Sequence, residues 1–128
     1  MWLNVLVYVV IPDYQSCMLP LLEFACDNRE HSLRDAIKHV SDVFSLSDFE
    51  RKELFPSGKQ VIIDNRVGWA RTYLKKAGLV VTPRRGYFKI TQRGLDALKE
   101  KPRKIDNKYL KQFPEFVVFT KTRARART

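Results

Sequence analysis

Apolar residues recur at intervals of three and four in the second half of the chain, which is the spacing of a helix with one buried face. The longest such segment predicts a helix from Ile63 to Ala77. Its apolar stripe consists of Val67, Ala70, Leu74 and Ala77. Gly78 follows as a C-cap, because glycine tolerates the positive φ at which many helices end.

The spacing then changes to the short alternation of β-strands. Strands are predicted over Leu79–Thr82 and Tyr87–Ile90, with a turn at residues 83–86 between them. Tyr87 and Phe88 point to opposite faces of the second strand, so we expect one in the core and the other beside the turn. A helix followed at once by such a hairpin is typical of winged helix-turn-helix proteins.

Four further segments carry helical spacing. They are Tyr14–Ala25, Leu33–Phe44, a short helix from Ser47 to about Leu54, and Leu95–Lys99 started by the turn at Thr91. Pro20 lies inside the first, so a kink and a late start are both open. Ser32 is expected to cap the second helix, and Ser47 with Glu50 forms a capping-box pattern. Residues 30–32 form a connector or a small edge strand.

The predicted fold class is therefore mainly α (α+β), a winged helix-turn-helix with a small β-hairpin wing and one inserted helix. Residues 1–11 are an apolar extension, too short to span a bilayer and without the features of a signal peptide. A short strand and a segment outside the domain are both open for them. The domain is expected over residues 12–117, followed by a basic, disordered tail over residues 118–128.

Positive charge is concentrated in the second half of the chain. The net charge is −3 over residues 1–60, +6 over residues 61–100 and +7 over residues 101–128. Such an asymmetry favours a polyanionic partner over a role in solubility alone, and the basic helix and hairpin fit a DNA duplex. The protein is accordingly expected in the cytoplasm, associated with the nucleoid and not with a membrane.

The candidate DNA-binding residues lie on the predicted helix and hairpin. They are Asn65, Arg66, Arg71, Thr72, Lys75, Lys76, Arg84, Arg85 and Lys89. Asn65 fits either a helix cap or an adenine contact, and Arg66 fits either DNA or an ion pair with Asp64. Trp69 is expected in the core, because it lies inside a helix among small neighbours, although stacking on a base is the alternative.

The sequence contains little that favours metal, cofactor or covalent chemistry. Cys17 and Cys26 cannot form a zinc site alone and lie too far apart on one predicted helix for a disulfide, so two buried, reduced thiols are expected. Asp13 and Glu50–Lys52 match the PD…ExK pattern of nucleases. However, both carboxylates are predicted beside helices, whereas that chemistry needs them on adjacent strands around Mg²⁺. We therefore predict no catalytic residues, no metal and no cofactor.

Several short runs of the sequence resemble one protein family. The most specific extends from Asn65 to Leu79. In order, the runs are PDYQ at 12–15, MLPLL at 18–22, LRD at 33–35, PSG at 56–58, DNRVGWA at 64–70, YLKKAGL at 73–79, RG at 85–86, Thr91 with Gly94, and LKQFPEF at 110–116. Together they cover the chain from about residue 12 to 117 and are similar to the Mrr restriction system, N-terminal domain family.

The resemblance implies a DNA-binding winged helix that full-length members join to a separate nuclease domain. Those members resemble type IV restriction endonucleases, which are often directed at modified DNA. This chain stops at Thr128, so the targeting half is expected here and not an enzyme. The expected partners are double-stranded DNA, methylated or not, a nuclease domain or subunit on another chain, and a second copy of the chain. The alternative function is a stand-alone winged-helix regulator or protein-interaction module.

Overall fold

A computed structural model of the chain describes residues 11–127. Within that range the chain forms seven helices and three short strands. The helices are α1 (Tyr14–Phe24), α2 (Leu33–Val43), α3 (Asp48–Lys52), α4 (Ile62–Lys76), α5 (Gln92–Lys99), α6 (Asn107–Leu110) and α7 (Pro114–Arg127). The strands are β1 (His31–Ser32), β2 (Val80–Val81) and β3 (Tyr87–Ile90). The expectation for residues 1–10 lies outside the described residues.

The three strands form an antiparallel sheet in the order β1-β3-β2. His31 pairs with Phe88 on one side of β3, and Val80 pairs with Ile90 on the other. The connector before α2 is therefore an edge strand, and the predicted hairpin is present. This sheet follows the helices in the order predicted, which confirms a mainly α (α+β), winged-helix-like fold.

The core lies between α1, α4 and the sheet. The predicted apolar stripe of α4 is completely buried from Val67 to Ala77. It packs against Met18, Leu21 and Leu22 of α1, which are also completely buried. Phe88 of β3 fills the same core, while Tyr87 lies half-exposed on the other face of the strand. The periodicity of α4 therefore predicted its buried face correctly.

Two of the predicted helix caps are present. The Ser32 Oγ atom accepts a hydrogen bond from the Asp35 backbone N–H at 3.0 Å. Ser47 and Glu50 bond reciprocally, at 3.1 Å from the Glu50 N–H to Ser47 Oγ and at 2.7 Å from the Ser47 N–H to the Glu50 carboxylate. This capping box begins α3, the inserted helix, which ends at Lys52 and is shorter than predicted.

The start of α4 differs from the prediction. Val61 precedes its first residue and makes no side-chain capping bond. Asn65 lies inside the first turns of the helix, so the capping role considered for it is wrong. At the other end Gly78 has a φ of 81°, as expected for the residue that follows the C-cap.

The basic tail predicted to be disordered instead continues as a helix. Residues 118–127 belong to α7, which begins at Pro114. Phe116 is completely buried and fixes the start of this helix, while the alanine and arginine residues that follow have high helix propensity. The sequence has no continuous apolar stripe here, and for this reason α7 was not predicted.

The two cysteines also differ from each other. Cys17 is completely buried in α1, and burial raises the pKa of its thiol to about 12. Cys26 lies beyond the end of α1 and is exposed. The prediction of two buried thiols was wrong for Cys26, because α1 ends at Phe24.

Candidate nucleic-acid interface

The outer face of α4 is opposite its buried stripe. Asn65, Gly68 and Thr72 follow one another along this face at intervals of three and four residues. They line an open groove of about 330 Å³, whose other wall is formed by Leu33 and Ile37 of α2. The groove thus lies between the two helices of the helix-turn-helix, on the side away from the core.

An ion pair crosses the groove between α2 and α4. The Arg34 guanidinium donates to the Asp64 carboxylate at 3.1 Å, although 73% of the Arg34 side chain is exposed. The pairing of Arg66 with Asp64 considered from the sequence is therefore wrong. Sequence reasoning did not select Arg34 as a site residue. Its position just inside the first helix of the helix-turn-helix was the available signal.

The two arginines near the middle of α4 lie on opposite flanks of the helix. Arg71 lines the groove, and its Nε atom is buried without a hydrogen-bond partner. Arg66 faces the inserted segment instead, with its guanidinium carbon 5.9 Å from the centroid of the Phe55 ring. Of the sequence-predicted residues of α4, Asn65, Arg71 and Thr72 line the groove, whereas Arg66 is on the opposite flank.

The polar residues on the outer face have local partners. The Asn65 side-chain amide donates to the Gln60 side chain at 3.1 Å. The Thr72 hydroxyl donates to the Gly68 carbonyl oxygen at 3.1 Å, a common arrangement for threonine inside a helix. Lys75 and Lys76 follow at the end of the helix, and both are exposed. The two lysines lie beyond the residues that line the groove.

Trp69 is not a core residue. It is partly exposed, with 40% of the residue accessible to solvent. The Arg123 guanidinium carbon lies 4.8 Å from its ring centroid, and the Tyr73 ring contacts it edge-on at 6.1 Å. The sequence prediction failed because small neighbours along α4 do not reveal that Trp69 projects beside the core, toward α7.

The hairpin carries three of the predicted DNA-binding residues. Arg84 stacks on the Tyr87 ring at 3.7 Å and pairs with Glu30 at 3.2 Å. Arg85 is exposed at the tip of the wing, and Lys89 lies in β3 opposite Val81. Arg84 is thus fixed against the wing, while Arg85 extends from it.

The carboxylates of the PD…ExK pattern serve as helix caps. The Asp13 carboxylate accepts the Ser16 backbone N–H at 2.7 Å at the start of α1. Glu50 is buried in the capping box of α3. Within residues 11–127 no group of three or more histidine, cysteine, aspartate or glutamate residues is placed to hold a metal ion. Nor does any helix in this range have the length and apolar character to cross a membrane.

The helices and the hairpin described above lie in a region that is similar in sequence to a known protein family. The family model of the Mrr N-terminal domain matches residues 14–100. The chain belongs to this family. The matched region contains the whole helix-turn-helix and the wing, including every candidate DNA-binding residue.

A curated relative of this Mrr N-terminal domain is the type IV methyl-directed restriction enzyme EcoKMrr of Escherichia coli strain K12. The two are 32% identical over 95 residues, which is 73% of this chain but 31% of the relative. The chain therefore spans about a third of the length of the enzyme it matches. No solved structure gave a significant match.

Proposed function

We propose that this chain is the DNA-targeting module of an Mrr-like, type IV restriction system. The observation that carries the proposal is the outer face of α4, where Asn65, Gly68 and Thr72 line an open groove. The wing that follows this helix carries the further cations Arg84, Arg85 and Lys89. An α-helix with its side chains is about 10–12 Å wide, and the DNA major groove is about 12 Å wide. We assign the outer face of α4 to this groove.

The cations around this face then meet phosphates on both sides of the groove. Arg71 and Lys75 lie on the flank of α4 toward α2, where Arg34 is largely exposed. Contacts of this kind set the affinity and the orientation of a protein on a duplex, whereas contacts to base edges set the sequence. Asn65 and Thr72 are the polar side chains placed for base edges.

The wing adds a second contact in the proposal. Arg85 and Lys89 are assigned to the DNA backbone, beside the helix. Arg84 already stacks on Tyr87 and pairs with Glu30, so its main role is to stiffen the wing. Ordering a long side chain on binding costs about 0.5–1.5 kcal/mol, and a wing fixed in advance avoids part of that cost.

The relative from Escherichia coli is a methyl-directed enzyme, and we extend a preference for methylated DNA to this chain as a proposal. Cleavage is assigned to a nuclease domain or subunit outside the described residues. Asp13 and Glu50 cap two different helices. We therefore assign both carboxylates to the fold and neither to DNA cleavage.

Fluorescence anisotropy with short duplexes tests the proposal. Unmodified duplexes are compared with duplexes that carry methylated adenine or methylated cytosine, each over a series of salt concentrations. Lys75→Ala combined with Arg85→Ala removes one cation from α4 and one from the wing. Each lost phosphate contact lowers the slope of log affinity against log salt by about 0.9, so this variant loses about 1.8.

Lys108→Ala combined with Lys111→Ala is the matched control, because both lysines are exposed on or beside α6 and the same charge is removed. We expect the wild-type slope for this control. Equal losses in both double variants would mean that only net charge matters and would overturn the assigned interface. Failure of the wild-type chain to bind any duplex would overturn the function.

Incubation with methylated plasmid and Mg²⁺ tests the separation of targeting from cleavage. We expect no nicking by the purified chain. The informative variant is Asp13→Asn, because asparagine preserves the helix cap and removes the carboxylate. Nicking by wild type that disappears in Asp13→Asn would show that the chain is itself a nuclease.

A further inference from the structure

An acidic side chain, that of Asp64, lies in the groove that we assign to DNA. Asp64 is in the first turn of α4, one helical turn before Gly68, and 23% of its side chain is exposed. A carboxylate that faces a duplex is repelled by the phosphates, and this cost is offset when a base donates a hydrogen bond to it. Asp64 therefore points to a contact with a base edge and not with the DNA backbone.

Arg34 holds this carboxylate in place from the opposite wall of the groove. Its Nη2 atom donates to Oδ2 of Asp64 at 3.1 Å, which joins α2 to α4 and offsets the negative charge. Among residues 11–127 no other group donates a hydrogen bond to the Asp64 side chain, so its Oδ1 atom remains an acceptor. The groove thus contains a fixed, charged hydrogen-bond acceptor.

The surface one turn along the same face of α4 is open and apolar. A Cβ atom placed at Gly68 would meet no heavy atom within 4 Å outside the local helix backbone. Leu33 and Ile37 supply apolar side chains from the other wall. Because residues four apart are neighbours on a helix surface, the Asp64 acceptor and the space over Gly68 lie next to each other.

This combination matches the edge of one methylated base in the major groove. Cytosine presents its N4 amino group there, and a methyl group at C5 projects into the same groove, as it does in thymine. In 5-methylcytosine the two groups are on adjacent ring atoms. In N4-methylcytosine and N6-methyladenine the methyl group instead replaces the one amino hydrogen that base pairing does not use, so no donor is left for a carboxylate.

We propose that the groove reads 5-methylcytosine. The Asp64 carboxylate accepts a hydrogen bond from the N4 amino group, and the C5 methyl group occupies the space over Gly68. Arg34 is a positioning residue that orients the carboxylate. This inference rests on the proposed function, since it requires the outer face of α4 to lie in the major groove, and it specifies the modification that the module prefers.

Binding to four long duplexes of one sequence tests the inference without knowledge of the recognised site. They are amplified with unmodified nucleotides or with complete substitution by 5-methylcytosine, N4-methylcytosine or N6-methyladenine. Burial of one methyl group predicts an affinity for the 5-methylcytosine duplex about 4-fold above that for the unmodified duplex. Loss of a hydrogen bond to a charged group predicts binding to the N4-methylcytosine duplex that is weaker by about 10-fold or more. N6-methyladenine should give no gain.

Ratios of affinities between duplexes separate base reading from net charge and from stability. Gly68→Ala fills the space for the methyl group, so the preference for 5-methylcytosine should disappear. Asp64→Ala should remove the discrimination against N4-methylcytosine, although the lost negative charge favours binding to every duplex. Asp35→Ala is the matched control, because Asp35 is an exposed carboxylate in the first turn of α2 that does not line the groove. We expect wild-type ratios for this control.

The positioning role is tested through the same ratios. Arg34→Ala should weaken the discrimination against N4-methylcytosine, because the carboxylate loses the group that orients it. Arg34→Lys keeps a cation beside Asp64 and should retain more of the discrimination. Thermal melting of every variant verifies that the fold is retained. Equal ratios in wild type and Arg34→Ala would show that Arg34 does not position the carboxylate.

The outcomes distinguish this inference from the proposed function. If wild type binds all four duplexes equally and with a steep salt dependence, the groove does not read 5-methylcytosine, while the role in DNA binding stands. A preference for N6-methyladenine, or a discrimination against N4-methylcytosine that survives in Asp64→Ala, would show that the assigned contact is wrong. If wild type binds no duplex, both proposals are wrong.

Discussion

Gly68 and Gly94 both lie inside helices, but their surroundings predict opposite effects when each is replaced by alanine. A Cβ atom at Gly68 meets no heavy atom within 4 Å outside the local helix backbone. Glycine is less favourable than alanine in a helix interior by about 0.8–1.0 kcal/mol. Gly68→Ala should therefore raise the free energy of unfolding by about 1 kcal/mol.

At Gly94 a Cβ atom would collide with the Leu79 carbonyl oxygen and lie 2.6 Å from Cγ1 of Ile90. The Leu79 oxygen cannot move away easily, because it accepts the Thr91 backbone N–H at 3.0 Å. Overpacking of this kind costs about 1–3 kcal/mol or more, which outweighs the gain in helix propensity. Gly94→Ala should thus lower the free energy of unfolding.

Urea and thermal unfolding of the two variants measure this difference. For a domain of this size, 1 kcal/mol corresponds to a shift of about 4 °C in Tm. We expect Gly68→Ala to melt above wild type and Gly94→Ala to melt below it. If both variants melt below wild type, the outer face of α4 is not open as described.

Duplex binding adds a second readout for Gly68. If α4 enters the major groove, the new methyl group lies between the helix and DNA. A steric cost of about 1–3 kcal/mol there corresponds to a loss of about 5- to 150-fold in affinity. A variant that is more stable and binds less tightly would show that glycine at this position serves the interface. Unchanged affinity would place Gly68 outside it.

Three further predictions concern stability and reactivity. In native protein a thiol reagent should modify Cys26 and spare Cys17, whose burial and raised pKa leave little thiolate, whereas both should react in urea. Hydrogen bonds from Arg51 and Lys38 hold the pKa of Asp42 below its usual value of 3.8, so its contribution to stability is present above that pH and is lost as the pH falls through the lowered pKa. Asp42→Asn should therefore flatten the acid limb of stability against pH. Ser47→Ala should lower the free energy of unfolding in urea by about 1 kcal/mol, because it removes the capping box of α3.

Features that depend on neighbours along the chain could be predicted from the sequence. The buried stripe of α4 follows from a spacing of three and four, and the capping box of α3 follows from Ser47 and Glu50. The wing followed from a helix that ends at Gly78 and two short strands around a turn. In each case the interaction that fixes the element lies within a few residues.

Features that depend on distant partners could not be predicted. Arg84 is fixed by Glu30, which lies 54 residues away, and Arg123 is docked on Tyr73, which lies 50 residues away. Without these contacts Trp69 resembled a core residue and the end of the chain resembled a disordered tail. The groove could not be predicted for the same reason, because the Arg34–Asp64 ion pair that crosses it joins residues 30 positions apart.

The hydrophobic core extends beyond the region that the family model matches. The family match ends at residue 100, but Ile105, Leu110 and Phe116 are almost completely buried against the domain. Asn107 also donates to the Tyr14 hydroxyl oxygen at 2.6 Å, which joins α6 to the first helix.

The hydrophobic core therefore includes residues that follow the matched region. Burial of one large apolar side chain contributes about 1.5–3 kcal/mol, so the three together are comparable to the total stability of about 5–15 kcal/mol of a typical domain. A polypeptide cut at residue 100 would keep the region that the family model matches and lose these three buried side chains. A fragment for expressing this domain alone should therefore extend past residue 100 and include Phe116.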